Sequence, residues 1–356
     1  MSPRPQDVSE PASRTRSSPP AAPLRVAVAG LGERGLVHAA LISTLPRATL
    51  VGLTDPRAVA RRTATGAGFT APAFARLDRM LEKTTPDAVI VCAPLNLRAK
   101  LARQALHAGA AVLIEKPVAL DYAEVQKVTR EANRTGLPLL CSHPLLREPL
   151  FERAARVVRD GTLGAVKQVR ASAYVSRVFS AEAARRATGG QGGGVVAHAA
   201  LDLLALLIDM LGMPARVQAT VGRLYGDAED ELHARLEFAE GITVGIDSSW
   251  SVPGYPRPAT VIEIDGDRGH LLVSNDALEI DSPSGDHQRW TDADLPQCAR
   301  FDIEGEARWR EEEAFVESVL LGAASPEPMR AHGLMHAIES SAHGGGKVVV
   351  VDGALS

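Results

Sequence analysis

The stretch Leu24-Arg25-Val26-Ala27-Val28-Ala29-Gly30-Leu31-Gly32-Glu33-Arg34-Gly35 decides the fold, and a run of helical spacing continues from it through Ile42. Leu24 to Ala29 is a short apolar run of strand type. Gly30, Gly32 and Gly35 then form G-x-G-x-x-G between a strand and a helix. In that setting the first glycine permits a tight turn, the second lets backbone approach a pyrophosphate, and the third allows close helix–strand packing. The helix N-terminus supplies amide donors to the phosphates. Asp55 ends the next strand about 20 to 25 residues on, the spacing of a ribose-binding acid in a dinucleotide site. Its carboxylate would accept from ribose hydroxyls and repel a 2′-phosphate, which favours NAD(H). Arg57, two residues later, leaves NADP(H) possible. Gly30, Leu31, Gly32, Glu33, Arg34, Gly35, Asp55 and Arg57 are the expected contacts to this half of the cofactor.

Working outward, strands are expected at Thr49 to Thr54, Ala88 to Cys92, Ala111 to Ile114 and Leu137 to Cys141. Helices are expected at Pro56 to Gly66, Leu97 to His107 and Tyr122 to Asn133. This alternation means right-handed βαβ units and a parallel sheet. Beyond about residue 145 the rhythm changes. A helix at Leu150 to Arg159 leads into Val166 to Val175, and the glycine cluster Gly189 to Gly194 precedes a long helix, Val195 to Leu211. Runs at Leu232 to Phe238, Ile242 to Trp250 and Val261 to Ile264, separated by turns, read as an antiparallel sheet. Two late helices follow, near 308–321 and 329–343. The expectation is α/β: an N-terminal doubly wound Rossmann domain over 24–145, then an α+β domain with a large, mostly antiparallel sheet over 146–352. The helix 329–343 is expected to pack back toward the first domain, and residues 1–23 to form a disordered tail.

The 356-residue length suits two domains. A net charge of −4 gives no footprint for nucleic acid, and no apolar run is long enough for a membrane helix. Three cysteines without CxxC spacing point to reduced thiols and a cytoplasmic protein. Only six of the 39 basic residues are lysines, so a lysine at a special place stands out.

One such place is Glu115-Lys116-Pro117, at the end of a parallel strand. Ligands of open α/β sheets bind outside the carboxyl ends of strands, which directs Lys116 toward the position of a nicotinamide. With Ala93-Pro94, Gly161-x-Leu163-Gly164 and the Gly192-Gly193-Gly194 helix start, the chain from Leu24 to Asp352 resembles the Gfo/Idh/MocA oxidoreductases. The resemblance implies that Lys116 contacts cofactor and the reacting oxygen, that the Lys116–Pro117 bond is cis, and that Ala93, Pro94, Asn96, Glu115 and Pro117 border the cofactor. It also implies an Asp-x-Gly-x-His stretch opening the long second-domain helix. Aligned without gaps, this sequence has His198 and Asp202 there, with the residue types exchanged and four positions apart. Both are candidate catalytic and substrate-binding residues, unless His198, Asp202, Ala205 and Asp209 are only the solvated stripe of a leucine-rich helix. With this exchange, Arg98, where many relatives carry histidine, suggests an unusual, anionic substrate or a shifted acid–base arrangement. Arg147 and Tyr174 are further substrate candidates, and Trp250 an alternative to plain core packing. His332, His336 and His343 share a helix but lack a completing carboxylate or cysteine, so no metal site is expected.

Together these readings indicate an NAD(P)-dependent oxidoreductase moving a hydride between nicotinamide and a polar substrate such as a sugar, cyclitol or nucleotide sugar. The alternatives are a cofactor-retaining enzyme without net redox, of epimerase or lyase type, and a non-catalytic NAD(P)/sugar sensor. By resemblance, the open face of the second sheet makes a homodimer or homotetramer.

Overall fold

The computed structural model describes residues 22–176, 193–225, 228–238, 240–296, 303–323 and 327–351. The tail through residue 21 and glycines 189–192 lie outside the described residues.

Strands β1 (Leu24–Ala29), β2 (Ala48–Thr54), β3 (Ala73–Phe74), β4 (Ala88–Val91), β5 (Ala111–Ile114) and β6 (Leu139–Cys141) form one parallel sheet. Its order is β3-β2-β1-β4-β5-β6. The order reverses between β1 and β4, which opens the ligand crevice at the carboxyl ends of those strands. Val26, Val28, Ile90, Leu113 and Ile114 are fully buried because helices cover both faces. Those helices include α1 (Glu33–Ile42), α2 (Ala58–Gly66), α3 (Leu77–Thr84), α4 (Leu95–His107) and α5 (Tyr122–Thr135). The pair β3 and α3 was not expected from the sequence. β3 has only two residues, and α3, although it places Leu77, Met80, Leu81 and Thr84 on one face, is eight residues long, too short for its period to stand out.

The second sheet runs β14-β13-β12-β11-β7-β10-β9-β8-β15. Its members are β7 (Val166–Tyr174), β8 (Arg216–Gly222), β9 (Glu231–Glu237), β10 (Thr243–Ser249), β11 (Ala259–Gly266), β12 (His270–Ser274), β13 (Leu278–Asp281), β14 (His287–Trp290) and β15 (Val349–Val350). Neighbours are antiparallel except β7 and β10, which pair parallel. Alternate residues such as Val169, Ala171, Leu232 and Ile246 face the core. That face is covered by α6 (Pro149–Arg159), α7 (Leu201–Leu211) and a later helix, α9 (Glu327–His343). The opposite face carries charged side chains, including the Arg170–Glu263 and His233–Asp247 pairs.

Two late helices tie the halves together. In α8 (Ile303–Leu321), Phe315 and Val316 are buried in the same core as Ile42, Leu53 and Leu113. Full burial of Phe315 contributes about 1.5–3 kcal/mol. In α9, Met329 packs against the core on the other side of the parallel sheet. His332 Nε2 accepts from the Val118 amide at 2.9 Å, and the His336 ring stacks on Tyr122 at 5.4 Å. His343 contacts Glu229 at 2.8 Å. These histidines serve packing and docking, and no metal-binding group occurs among the described residues.

The long helix beginning at Val195 is not a single α-helix. A π-helical turn spans Val196–Ala200 ahead of α7. Such turns are frequent at functional sites, because the widened turn re-aims the side chains it carries.

Candidate active site

The glycine turn is shaped by steric demand. Gly30 has φ +99°, and a Cβ there would meet Cys92 C and Ala93 N at 2.7 Å. A Cβ on Gly35 would lie 1.8 Å from the Gly30 carbonyl oxygen. Around Gly32, by contrast, nothing lies within 4 Å of an added Cβ. Gly32 is the N-cap of α1, with no side chain capping the helix amides. The turn is therefore closed against β4 and open at the helix N-terminus, a cradle that fits a pyrophosphate. Glu33 and Arg34 are exposed on the first turn of α1, and Pro94 and Asn96 are exposed where α4 begins.

Asp55 is buried at the end of β2. Its Oδ2 accepts from the Leu31 amide at 2.9 Å, and Arg57 donates to both oxygens from Nε and Nη2 at 3.0 Å. Burial pushes this acid up, but the hydrogen bonds from Arg57 and Leu31 outweigh it and hold the pKa below the ordinary value. The Arg57 side chain is 67% exposed, so its hold on Asp55 is weak and the guanidinium can swing away at little cost.

Glu115-Lys116-Pro117 follows β5, and the Lys116–Pro117 bond is cis. Arg98 explains the local geometry. Its guanidinium donates to the carbonyls of Ala93 (2.9 Å), Glu115 (3.2 Å), Lys116 (2.6 Å) and Pro117 (2.8 Å). Nε and Nη1 of Arg98 thus serve the backbone that forms the bend. Behind the bend, buried Glu115 accepts from His38 Nε2 at 3.1 Å and from Arg308 at 3.3 Å. His38 Nδ1 in turn lies 2.6 Å from Glu312 Oε1. Burial alone would raise the Glu115 pKa, but His38, with the positive charges of Arg34 and Arg98, brings it below the ordinary value.

Lys116 Nζ lies 2.5 Å from Asp202 Oδ2, across the boundary between the two sheets. These side chains are 18% and 20% exposed, sheltered yet reachable from the crevice. The other Asp202 oxygen meets His143 Nδ1 at 2.9 Å. Burial opposes ionisation of Asp202, but Lys116 and His143 bring its pKa down to about 2. Asp202 thus belongs to an ionised cluster rather than a solvated stripe. Along the same helix Ala205 is buried, and Asp209 pairs with Arg159 at the surface. His198, carried by the π turn, stacks on the Trp250 ring at 6.0 Å.

The structure does not bring Tyr174 to this cluster. In β7 it alternates with core-facing Ala173, so it lies on the open face of the second sheet, 5.4 Å from the Tyr255 ring. Both tyrosines line a cavity of about 320 Å³ with Glu231, His233 and Asp247. Arg147 ends the turn Pro144–Arg147 between β6 and α6, half-buried, with no ion pair or hydrogen bond found among the described residues. The residue that sequence reasoning missed is His143. Its signal was position: a histidine immediately after β6, on the same carboxyl edge as Lys116.

A strand–glycine-turn–helix cradle, a buried acid at the end of β2 and a sheltered lysine at the carboxyl edge of a parallel sheet define a dinucleotide-binding fold. Residues 24–143 match the oxidoreductase family with an NAD-binding Rossmann fold, and residues 151–272 match the GFO/IDH/MocA C-terminal domain. The chain belongs to the Gfo/Idh/MocA family and is an NAD(P)-dependent oxidoreductase of that type. It is 25% identical to inositol 2-dehydrogenase of Rhizobium meliloti, over 74% of this chain and 79% of that one. It is 28% identical to D-xylose 1-dehydrogenase (NADP(+)) 2 of Haloferax volcanii, over 83% and 87%. The fold superimposes on an oxidoreductase from Agrobacterium radiobacter in complex with NAD+, L-tartaric acid and magnesium. That match has TM-score 0.84 and 18% identity, covering 94% of this chain and 99% of the other.

Proposed function

We propose that this chain moves a hydride between a nicotinamide cofactor and a polyhydroxylated small molecule, a sugar, cyclitol or nucleotide sugar, with Lys116 as the acid–base residue. The observation that carries this reading is the Lys116–Asp202 pair, sheltered at the carboxyl edge of the parallel sheet. Bound nicotinamide supplies the hydride acceptor or donor. Everything else is asked of side chains. Oxidising a secondary alcohol requires a group that takes the hydroxyl proton, and reducing a ketone requires one that gives it. Lys116 Nζ does both: its ammonium form donates to a developing alkoxide, and its amine form accepts from a hydroxyl. Asp202 holds the ammonium between turnovers.

Gly30, Leu31, Gly32, Glu33, Arg34 and Gly35 would hold the pyrophosphate, and Asp55 with Arg57 the adenosine ribose. Ala93, Pro94, Asn96, Glu115 and Pro117 would border the nicotinamide side. His198 and Arg147 would face the substrate from the second domain, whose boundary we set near residue 145. Similarity to an inositol and a xylose dehydrogenase supports the substrate class. We further propose a cytoplasmic protein, supported by thiols at Cys92 and Cys141 that form no disulfide. A homodimer or homotetramer through the open face of the second sheet completes the reading.

The test is a panel of cyclitols, aldoses and nucleotide sugars incubated with NAD+ or NADP+. Formation of reduced nicotinamide with at least one, and its loss in Lys116→Ala, is expected. Turnover by Lys116→Ala at the wild-type rate would refute the role of Lys116.

A further inference from the structure

The His143 imidazole touches the Lys116–Asp202 pair from the end of β6. Its side chain is 1% exposed. Its Nδ1 lies 2.9 Å from Asp202 Oδ1, while the other Asp202 oxygen faces Lys116. An ionised carboxylate only accepts, so Nδ1 carries the hydrogen and donates it. Nε2 is buried with no hydrogen-bond partner found among the described residues. The backbone that carries the ring is itself fixed. The His143 amide donates to Glu311 Oε1 at 2.5 Å, and the Ser142 hydroxyl donates to Glu311 Oε2 at 2.7 Å. Helix α8 thereby pins the end of β6, β6 presents the imidazole, and the imidazole sets the rotation of the Asp202 carboxylate.

We propose that His143 is a positioning residue: by donating Nδ1–H to Asp202 it fixes that carboxylate against Lys116, and so holds the Lys116 amine in its ion pair and out of reach of attack. The proposal rests on the reading of Lys116 as the acid–base group, but its geometry stands without turnover. The charged and titratable groups around the ring are Asp202 on α7, Lys116 beyond it after β5, Cys141 on β6 and Glu311 on α8. Burial opposes charge on His143, yet Cys141 and Asp202 push its pKa well above the ordinary value, so the ring keeps its Nδ1 hydrogen. Without that donor, Asp202 keeps its contact with Lys116 but gains freedom to rotate away from it.

The scarcity of lysine makes this measurable without substrate. Wild type and variants of the full chain are treated with an N-hydroxysuccinimide acetate, which acylates only the uncharged amine, and labelling of each of the six lysines is followed by mass spectrometry. Asp202→Asn is expected to speed labelling of Lys116 about tenfold, because the amine is released from its charge-assisted hydrogen bond to the carboxylate. His143→Ala should speed it several-fold, while the exposed Lys83, Lys100, Lys127, Lys167 and Lys347 keep their wild-type rates and an unchanged melting temperature reports an intact fold. His143→Asn places an amide nitrogen where Nδ1 sits and should restore slow labelling. His143→Gln fills a similar volume, puts its nitrogen near Nε2, and should not. The double variant His143→Ala/Asp202→Asn should label no faster than Asp202→Asn alone, because one acts through the other. Wild-type labelling in His143→Ala would overturn the proposal. So would equal rescue by Asn and Gln, or multiplied effects in the double variant. Because no turnover is read, a failure here is distinct from Lys116→Ala retaining activity, which would refute the acid–base reading itself.

Discussion

Replacing Asp202 by Asn tests the site with a nearly isosteric change. Burial would raise the pKa of this carboxyl, yet Lys116 and His143 bring it from 3.8 to about 2. At about 1.36 kcal/mol per unit, the folded protein favours the Asp202 carboxylate by roughly 2.5 kcal/mol relative to the unfolded chain. The folded pKa is depressed, so this contribution is present above about 4 and is lost only as pH falls through about 2. At neutral pH it is therefore complete. In Asp202→Asn the amide oxygen can still accept from His143 Nδ1, but the amide NH2 then confronts Lys116 Nζ donor to donor. We expect about 2 kcal/mol loss of stability by urea denaturation at neutral pH, and turnover lower by about 10² to 10⁴-fold, the usual worth of a proton-transfer group. An Asp202→Asn protein within about 0.5 kcal/mol of wild type, turning over at the wild-type rate, would refute the reasoning.

Gly35→Ala should abolish dinucleotide binding and destabilise the first domain by about 1–3 kcal/mol or more, since the new Cβ meets backbone that cannot yield. Retained NADH fluorescence enhancement at wild-type stability would count against the closed turn. Arg57→Ala should lower affinity for NADPH relative to NADH by about tenfold, the loss of one charge partner for a 2′-phosphate, as read by titration calorimetry. An unchanged ratio would show that Arg57 has no part in cofactor choice. Burial, set against the hydrogen bonds from Ser142 and His38, leaves the Glu311 and Glu312 carboxyls raised to about 7. A raised folded pKa means stability that is complete below the unfolded value and is lost as pH rises through the folded one. The melting temperature should thus fall between about pH 5 and pH 8. Glu312→Gln should flatten that fall, and a slope equal to wild type would argue against a protonated Glu312.

Much of the first domain was legible because its evidence is local. Gly30, Gly32, Gly35 and Asp55 sit at fixed spacing around one strand–turn–helix; Gly30, Gly35 and Asp55 each meet a steric or hydrogen-bonding demand, and Gly32 leaves the helix N-terminus open. Glu115-Lys116-Pro117 was legible for the same reason. What escaped was long-range. Arg98 stood out only as a departure from the family's histidine, because the sequence does not reveal that its guanidinium reaches the carbonyls of Ala93, Glu115, Lys116 and Pro117. His143 and Lys116 are 27 positions apart in sequence and meet only through Asp202, which the second domain supplies. The π turn at Val196–Ala200 leaves no period in a helix so rich in leucine and alanine, so His198 and Asp202 read as a simple i, i+4 pair. Tyr174 was misread in direction. One residue of register in β7 decides between the core face and the open face, and that register is set by pairing with β10 and β11.

The central claim is that Lys116, held by Asp202, moves the proton while the glycine turn holds the nucleotide. It is tested most directly by measuring NADH affinity and single-turnover rate together for Lys116→Ala. The account predicts a dissociation constant within a few-fold of wild type and a hydride-transfer rate lower by about 10² to 10⁴-fold. Full hydride transfer in Lys116→Ala, with NADH bound as in wild type, would contradict it.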